Sequence, residues 1–416
     1  MLSRRCEQRN KTIIPQLLSQ HGAVLSGDDA VVDLSTAENL LLQGEMVQKW
    51  SGALNSISEA ANTNTKQDLS YSEGIGGSPK ARERIANIIN QHFSPTVSVL
   101  TSHIVLAAGG SYALEALVEQ ICNPGDAIMI AAPYWAGLDL SLSIHNDIEI
   151  VPIHVPLEEF FHVDSVKYYE AALAESTVPV KAVLVCNPHN PLGKCYPRDT
   201  LQSMLDFSHQ NNLHYISDEV YALSMHENTE NTTGFISALS LAHGDMLVHV
   251  IYSLSKDFGC NGVRLGAFIS QQNDSIRLSG ALSAHQQTSS ITTLFAVKHV
   301  LSEENLELVL SQNGKRLRSA YEVFRRFLLE RKISFIEANS GMFVFAKLCP
   351  GDTLESEVVF GQYLKQYGVV LSSGTSYHFN HYGWYRICYA VPLSILKEGL
   401  ARIDNSVRAF NNKYVD

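Results

Sequence analysis

The chain has 416 residues, of which 45% are hydrophobic and 18% charged, the composition of an ordinary globular protein with room for two or three domains. A formal net charge of −11 argues against nucleic acid or an anionic membrane as a partner, and no apolar run is long enough to predict a membrane-spanning helix. Seven scattered cysteines without a Cys-x-x-Cys pair, and histidines without metal-ligand spacing, predict a cytoplasmic protein with neither a disulfide framework nor a metal site.

The first part of the chain is basic but lacks the hydrophobic core of a signal peptide. Residues 1–20 carry Arg4, Arg5, Arg9 and Lys11 without a long apolar run. We therefore expect residues 1–45 to form a short N-terminal arm and part of a small domain.

Short apolar runs alternate with helical patterns between about residues 100 and 270. The predicted strands are 102–106, 127–131, 180–186, 213–217 and 246–252, and the clearest helices are 112–121 and 201–211. Continuous apolar strands separated by helices indicate βαβ units and a mostly parallel sheet covered on both faces. The predicted class is α/β, and residues 46–290 are predicted to form the large domain.

Four chemically distinctive residues fall at the carboxyl ends of these strands: Gly110, Asn190, Asp218 and Lys256. Ligands bind beyond the carboxyl ends of the strands in parallel sheets of this kind. The four positions therefore predict a single binding site.

Lys256 is the most informative of the four. It follows the strand-like run 248–252, two hydroxyl residues (Ser253 and Ser255) precede it, and Arg264 lies eight residues further on. A lysine in such a place can form a Schiff base with a cofactor aldehyde or carry protons. Taken alone, a surface lysine after a strand remains the more frequent explanation.

The pattern changes after about residue 290. A long helical stretch at 292–331 is followed by strand-like runs at 340–345 and 384–389 and by a closing helix near 393–411. We expect residues 291–416 to form a second, smaller α+β domain.

Nine short motifs occur in the order that one enzyme family shows. They are Ala37-Glu38-Asn39, Tyr71-Ser72-Glu73-Gly74, Ala108-Gly109-Gly110-Ser111, Pro133-Tyr134-Trp135, Asn187-Pro188-His189-Asn190-Pro191, Ser217-Asp218-Glu219-Val220-Tyr221, Ser253-Leu254-Ser255-Lys256, Arg264-Leu265-Gly266 and Tyr385-Arg386-Ile387. Together they resemble the fold-type I pyridoxal phosphate enzymes of the class I/II aminotransferase superfamily, and in particular 1-aminocyclopropane-1-carboxylate synthases and related carbon–sulfur lyases. The resemblance implies an aspartate aminotransferase-like fold and pyridoxal 5′-phosphate as the cofactor.

The resemblance also implies roles for individual residues around the cofactor ring. Lys256 would form the Schiff base and later move the Cα proton, Asp218 would pair with the pyridine nitrogen, and Trp135 would stack on the ring. Tyr221 and Asn190 would donate to the phenolic oxygen.

The remaining roles concern the phosphate, the substrate and a second subunit. By resemblance, the phosphate contacts are Gly110, Ser111, Tyr112, Ser253, Ser255 and Arg264. Arg386 would bind the carboxylate of an amino-acid substrate, with Ala37 and Glu38 beside it, because a guanidinium matches a carboxylate in two places. Tyr71 resembles the tyrosine that reaches into a neighbouring subunit, which implies a homodimer with shared active sites.

The sequence leaves three kinds of function open. The likeness of the motifs favours elimination of a sulfur group after Cα deprotonation, and the frequency of reactions in the superfamily favours transamination. A catalytically silent binding protein is the third reading, and the full set of cofactor motifs argues against it. S-adenosylmethionine is disfavoured as a substrate, because residues 136–140 lack the arginine that the plant synthases have there.

Overall fold

The computed structural model describes residues 2–11, 14, 31–59, 70–226 and 234–414. Within them the strands are β1 (Val32–Asp33), β2 (Ile104–Ala107), β3 (Ala127–Ala132), β4 (Glu149–His154), β5 (Val180–Cys186), β6 (His214–Asp218), β7 (Val248–Ser253), β8 (Gly266–Ser270), β9 (Phe343–Lys347), β10 (Val369–Val370), β11 (Ser372–Ser373) and β12 (Trp384–Cys388). The helices are α1 (Arg4–Lys11), α2 (Leu40–Glu59), α3 (Pro79–His92), α4 (Gly110–Ile121), α5 (Gly137–Asp139), α6 (Val166–Glu175), α7 (Arg198–Gln210), α8 (Leu254–Asp257), α9 (Asp274–Ser283), α10 (Ser290–Phe295), α11 (Glu303–Glu330), α12 (Leu354–Gln366) and α13 (Leu393–Tyr414).

A seven-stranded sheet in the order β2-β8-β7-β6-β5-β3-β4 forms the centre of the larger part. The pairs from β4 to β7 are parallel, and β8 runs antiparallel to both of its neighbours, β2 and β7. Two apolar clusters of buried side chains cover its faces. The prediction of an α/β fold with a mostly parallel sheet is confirmed. Strands that are apolar on both faces need helices on both sides of the sheet to bury them.

A smaller unit surrounds the three-stranded antiparallel sheet β11-β12-β9. Helices α11, α12 and α13 contribute Leu317, Phe324, Phe360 and Leu396 to its core. The strand β1 pairs with β10, so the segment before α2 joins this unit from the other end of the chain. A smaller domain beside the large one was predicted; residues 1, 12, 13 and 15–30 of the proposed arm lie outside the described residues.

Three details differ from the sequence predictions. The helical stretch predicted at 292–331 is interrupted at Leu301 and Ser302, between a π-helical turn and α11, where Leu301 no longer has helical geometry. The strand predicted at 340–345 begins only at Phe343, because Gly341 has a φ of +70° and turns the chain. Two strands of the large sheet, β4 and β8, were not predicted at all.

The two missed strands have ordinary physical explanations. β4 contains Pro152, which weakens a strand pattern and is tolerated here because β4 is an edge strand. β8 is only five residues long and begins with Gly266. Among the described helices, none is both long and apolar enough to cross a membrane.

Candidate active site

A cavity of about 1410 Å³ opens between the carboxyl ends of the large sheet and the small unit. Thirteen of the fifteen residues singled out from the sequence line it: Ala37, Glu38, Gly110, Ser111, Trp135, Asn190, Asp218, Tyr221, Ser253, Ser255, Lys256, Arg264 and Arg386. Tyr71 and Tyr112 do not, and their side chains are exposed to solvent by 85% and 42%. The cavity is larger than the 300–1,000 Å³ or so that is usual for a small-ligand site.

Lys256 lies in the short helix α8, directly after β7. The hydroxyl of Ser253 accepts a hydrogen bond from the backbone N–H of Ser255 at 3.2 Å and so begins the helix. The Nζ of Lys256 donates to the carbonyl of Ala37 at 2.7 Å. Burial, and then the positive charge of Arg386, lower the pKa of Lys256 to about 8. An amine with this pKa is partly neutral near pH 8, as a nucleophile or base requires.

Asp218 ends β6, the strand beside β7. Its Cα is paired in register with Ile251 on one side and with Cys186 on the other. Burial raises the pKa of Asp218 to about 6, against the opposing effects of the Val220 N–H and of Lys256. A carboxylate in this position can hold a proton on a neighbouring cationic nitrogen.

Arg386 links the small sheet to the loops of the large sheet. Its Nη1 donates to Oδ1 of Asn190 at 3.1 Å, and its Nη2 donates to the carbonyl of Ser35. The side chain is buried, and its Nε has no hydrogen-bond partner. A buried guanidinium with an unsatisfied N–H on a cavity wall is suited to a carboxylate ligand.

The start of α4 has the features of an anion site. Gly109 has a φ of +94°, and no side chain caps the helix, so N–H groups of the first turn stay open. Gly266 packs so closely that a Cβ there would lie 2.4 Å from the Gly109 carbonyl carbon. The exposed guanidinium of Arg264 adds positive charge, with its Nη2 held 2.7 Å from the Ala108 carbonyl. Together with Ser253 and Ser255, these groups fit a phosphate such as that of pyridoxal phosphate.

Glu38 has a partner that sequence reasoning missed. Nδ2 of Asn261 donates to Oε1 of Glu38 at 2.5 Å, which holds the carboxylate on the cavity wall, where its negative charge acts on Lys256. Ser35, whose carbonyl binds Arg386, was also missed. No local signal marks either residue, because a backbone carbonyl and a loop asparagine acquire these roles only through the fold.

A buried carboxyl next to Asp218 supports the loop that follows β6. Glu219 is fully buried, and its oxygens accept from the Ser237 hydroxyl at 2.7 Å and from the Ala238 N–H at 2.8 Å. Burial raises the pKa of Glu219 to about 7. These bonds fasten the chain beyond Asp218 to the segment near residue 238.

Glu219→Gln is expected to remove a pH dependence of stability in the cofactor-free protein. A carboxyl whose pKa is raised by folding stabilises the fold below its unfolded pKa of about 4.5, and this stability is lost as the pH rises to about 7. Glutamine does not ionise; its side-chain oxygen can accept from the Ala238 N–H, and its NH2 group can donate to the Ser237 hydroxyl oxygen. Urea unfolding at pH 5 and pH 8 should therefore show the variant gaining up to about 3 kcal/mol over the original protein across that interval.

The exposed carboxyl of Glu355 offers a control for this experiment through Glu355→Gln. If the difference in unfolding free energy between Glu219→Gln and the original protein is the same at both pH values, Glu219 does not titrate as described.

Within the described residues no cluster of side chains is arranged to hold a metal ion. The polar groups of the cavity are instead lysine amines, hydroxyls, amides, carboxylates, guanidinium groups and one imidazole. This set is suited to an organic cofactor that carries a phosphate.

Comparison with known proteins gives a consistent result. The profile of the aminotransferase class I and II family matches residues 29–403. A probable aminotransferase of Claviceps purpurea (strain 20.1), tcpI, is 52% identical over 99% of this chain and 97% of its own length. 1-Aminocyclopropane-1-carboxylate synthase 11 of Arabidopsis thaliana is 31% identical over 86% of this chain and 80% of its own. The Thermus thermophilus aspartate aminotransferase double mutant 1 has a similar fold, with a TM-score of 0.78 at 20% identity, over 98% of this chain and 99% of its own.

Proposed function

Because this chain belongs to the aminotransferase class I and II family, it is a pyridoxal phosphate-dependent enzyme, and we propose that it eliminates a sulfur group from an α-amino acid. The observation that carries the proposal is the carboxylate of Glu38, fixed by Asn261 beside Lys256. Transamination needs one group that moves a proton between two carbons. The fixed carboxylate of Glu38 is a second charged group beside the amine of Lys256. It is suited to a reaction in which the α-amino group of the substrate is held while the bond from carbon to sulfur breaks.

Each residue of the cavity has a separate role in the proposed reaction. When bound, pyridoxal phosphate withdraws electrons from the Cα of the substrate. Arg386, which lines the cavity, would hold the α-carboxylate with its guanidinium group and so orient the Cα hydrogen. The amine of Lys256, with a pKa of about 8, would take the proton from Cα, and Asp218 would keep the pyridine nitrogen protonated.

The proposed overall reaction is balanced without an oxidant or a second substrate other than water. In a cysteine conjugate, the Cα–H and Cβ–S bonds break and the sulfur leaves as a thiol after taking a proton. Water then converts the remaining enamine into pyruvate and ammonium. Among the described residues of the cavity wall, the lysines and arginines are Lys256, Arg264, Lys365 and Arg386.

Transamination is the second candidate. It is favoured by the likeness to a probable aminotransferase at 52% identity over nearly the whole chain. The same binding residues would serve it, because in both reactions Lys256 would first take the proton from the Cα of the substrate. The two reactions differ only after the first proton transfer.

Product analysis separates the two candidates. The holoenzyme is incubated in single turnover with S-substituted cysteines and, separately, with amino acids that carry no sulfur, such as alanine and leucine. Elimination yields a 2-oxo acid, ammonia and a free thiol in equal amounts, with the cofactor recovered as the aldehyde. A 2-oxo acid accompanied by an aminated cofactor, without ammonia or thiol, would overturn the elimination proposal in favour of transamination.

We also propose that the active unit is a homodimer in which Tyr71 completes the site of the partner subunit. Its side chain is 85% exposed and lies away from the cavity of its own chain. A tyrosine this exposed is available to contact a second subunit, with its ring as an apolar surface and its hydroxyl as a hydrogen-bonding group.

Subunit mixing tests the shared site. Lys256→Ala and Tyr71→Ala are each expected to be nearly inactive alone. Mixed in equal amounts after reversible dissociation, they should recover about a quarter of the original activity, because half of the dimers then contain one intact site. A mixture of Lys256→Ala and Asp218→Asn is the control and should stay inactive, since both residues belong to one chain's half of the site. If the first mixture also stays inactive while exchange of subunits is verified, Tyr71 does not act across the interface.

A further inference from the structure

Asp139 and His378 form a pair that joins the two halves of the cavity. Asp139 ends α5, next to the large sheet, and His378 follows a short 3-10 helix, Gly374–Tyr377, in the small unit. Nε2 of His378 lies 2.7 Å from Oδ2 of Asp139, and the hydroxyl of Tyr134 donates to the other oxygen, Oδ1, at 3.1 Å. Both carboxylate oxygens are therefore used, although the two residues are 239 positions apart in the chain.

Tyr134 strengthens the connection in two further ways. Its ring stacks on the imidazole of His378, with centroids 4.4 Å apart and planes 17° from parallel. Its backbone N–H donates to the carbonyl of Tyr377 at 2.9 Å. Three contacts thus join the two sides of this corner, and the Tyr134–Asp139 hydrogen bond braces one of them. The group of Tyr134, Asp139 and His378 is called the latch below.

Each end of the latch is attached to a residue of the cavity wall. Trp135, the aromatic residue expected to cover the cofactor ring, directly follows Tyr134. On the other side, the ring of Tyr377 lies 5.1 Å from the guanidinium carbon of Arg386. The latch therefore connects the ring-covering side of the site with the side that would bind the substrate carboxylate.

The backbone at His378 also indicates that these contacts matter. Its φ is +59°, in the left-handed region that residues other than glycine occupy infrequently. Such a conformation costs free energy and persists only where surrounding contacts hold it in place. The structure provides the imidazole contacts with Asp139 and Tyr134, beside a backbone hydrogen bond from the His378 N–H to the Thr375 carbonyl at 3.1 Å.

We propose that Asp139 and His378 are positioning residues that fix the distance between Trp135 and Arg386, and so determine how tightly the amino acid is bound between them. The inference rests on the proposed function only in taking Arg386 as the carboxylate-binding residue. Neither residue transfers a proton in this proposal. Their effect is on substrate binding, because a substrate must touch both sides of the site at once.

Three variants of the holoenzyme test the latch: Asp139→Asn, His378→Asn and the double variant. Asparagine tolerates the left-handed conformation, so His378→Asn removes the imidazole and keeps the backbone. Titration with an amino acid, followed by the change in cofactor absorbance, should show binding weakened about ten-fold in each single variant. The double variant should bind no more weakly than either single variant, because the pair is lost only once.

A second measurement needs neither turnover nor substrate. Backbone amides of residues 374–379 should exchange with deuterium faster in each variant, since their attachment to Tyr134 is loosened. The control is His162→Asn, which breaks an exposed His162–Asp164 pair of 3.2 Å in the large part. It should leave both amino-acid binding and exchange at 374–379 unchanged.

The outcomes distinguish this proposal from the proposed reaction. Unchanged amino-acid binding, or effects of the two single changes that simply add in the double variant, would overturn the latch. The binding titration measures the affinity for the amino acid, which does not depend on whether the products are those of elimination or of transamination. A failure of the elimination proposal therefore leaves this test intact.

Discussion

Lys256→Ala is expected to lower turnover by at least about 10⁴-fold, because it removes both the amine that attaches the cofactor and the base that takes the Cα proton. The Nζ of Lys256 is the amine that the cavity holds against the Ala37 carbonyl with a pKa of about 8. Alanine leaves no group there that can replace it.

Two measurements check this prediction. Borohydride reduction followed by mass spectrometry should add the mass of the cofactor to the original protein and not to Lys256→Ala. The exposed Lys397→Ala on α13 is the matched control and should be labelled and active. Cofactor mass found covalently on Lys256→Ala, with turnover retained, would show that another amine performs these roles.

Asp218→Asn is expected to reduce turnover roughly 100- to 1,000-fold, the usual cost of removing one electrostatic contribution to a transition state. Asparagine has the same shape but cannot keep a proton on the pyridine nitrogen. Because the cofactor-free Asp218 has a pKa raised to about 6, binding of the cationic ring should lower it and make cofactor affinity fall in acid.

Cofactor titration at pH 5 and pH 8 tests the second part of this prediction. The original protein should bind more weakly at pH 5, where Asp218 is mostly protonated, and Asp218→Asn should show a smaller difference between the two values. Asp245→Asn, whose carboxyl is 93% exposed, is the control. Full turnover in Asp218→Asn would remove Asp218 from the mechanism.

Much of the large sheet could be predicted because its signals are local. Asp218 and Lys256 each follow a run of buried apolar residues, and the structure places both at adjacent strand ends. Strands that are apolar on both faces must lie inside a sheet covered by helices, because any other arrangement would expose their side chains to water. β8 escaped prediction because its five residues begin with a glycine and have no pattern of their own.

The contacts across the cavity could not be predicted from local patterns. Asn261 binds Glu38 across 223 positions of sequence, and Asp139 reaches His378 across 239. Such pairs depend on how the small unit is placed on the large one. The motifs indicated which loops form the site, whereas only the folded chain shows which of their polar atoms meet.

The order of the strands has a consequence for changing this protein by directed evolution. β5, β6 and β7 are neighbours, and about 4.8 Å separates adjacent strands, so the loop of Asn190, Asp218 and the Ser253–Lys256 turn stand at spacings that the sheet itself sets. Arg386 and His378 belong instead to the small unit. A library confined to residues 374–389 should therefore yield altered amino-acid selectivity in variants that still retain pyridoxal phosphate, whereas a library in the ends of β5 to β7 should mostly yield proteins that lose it.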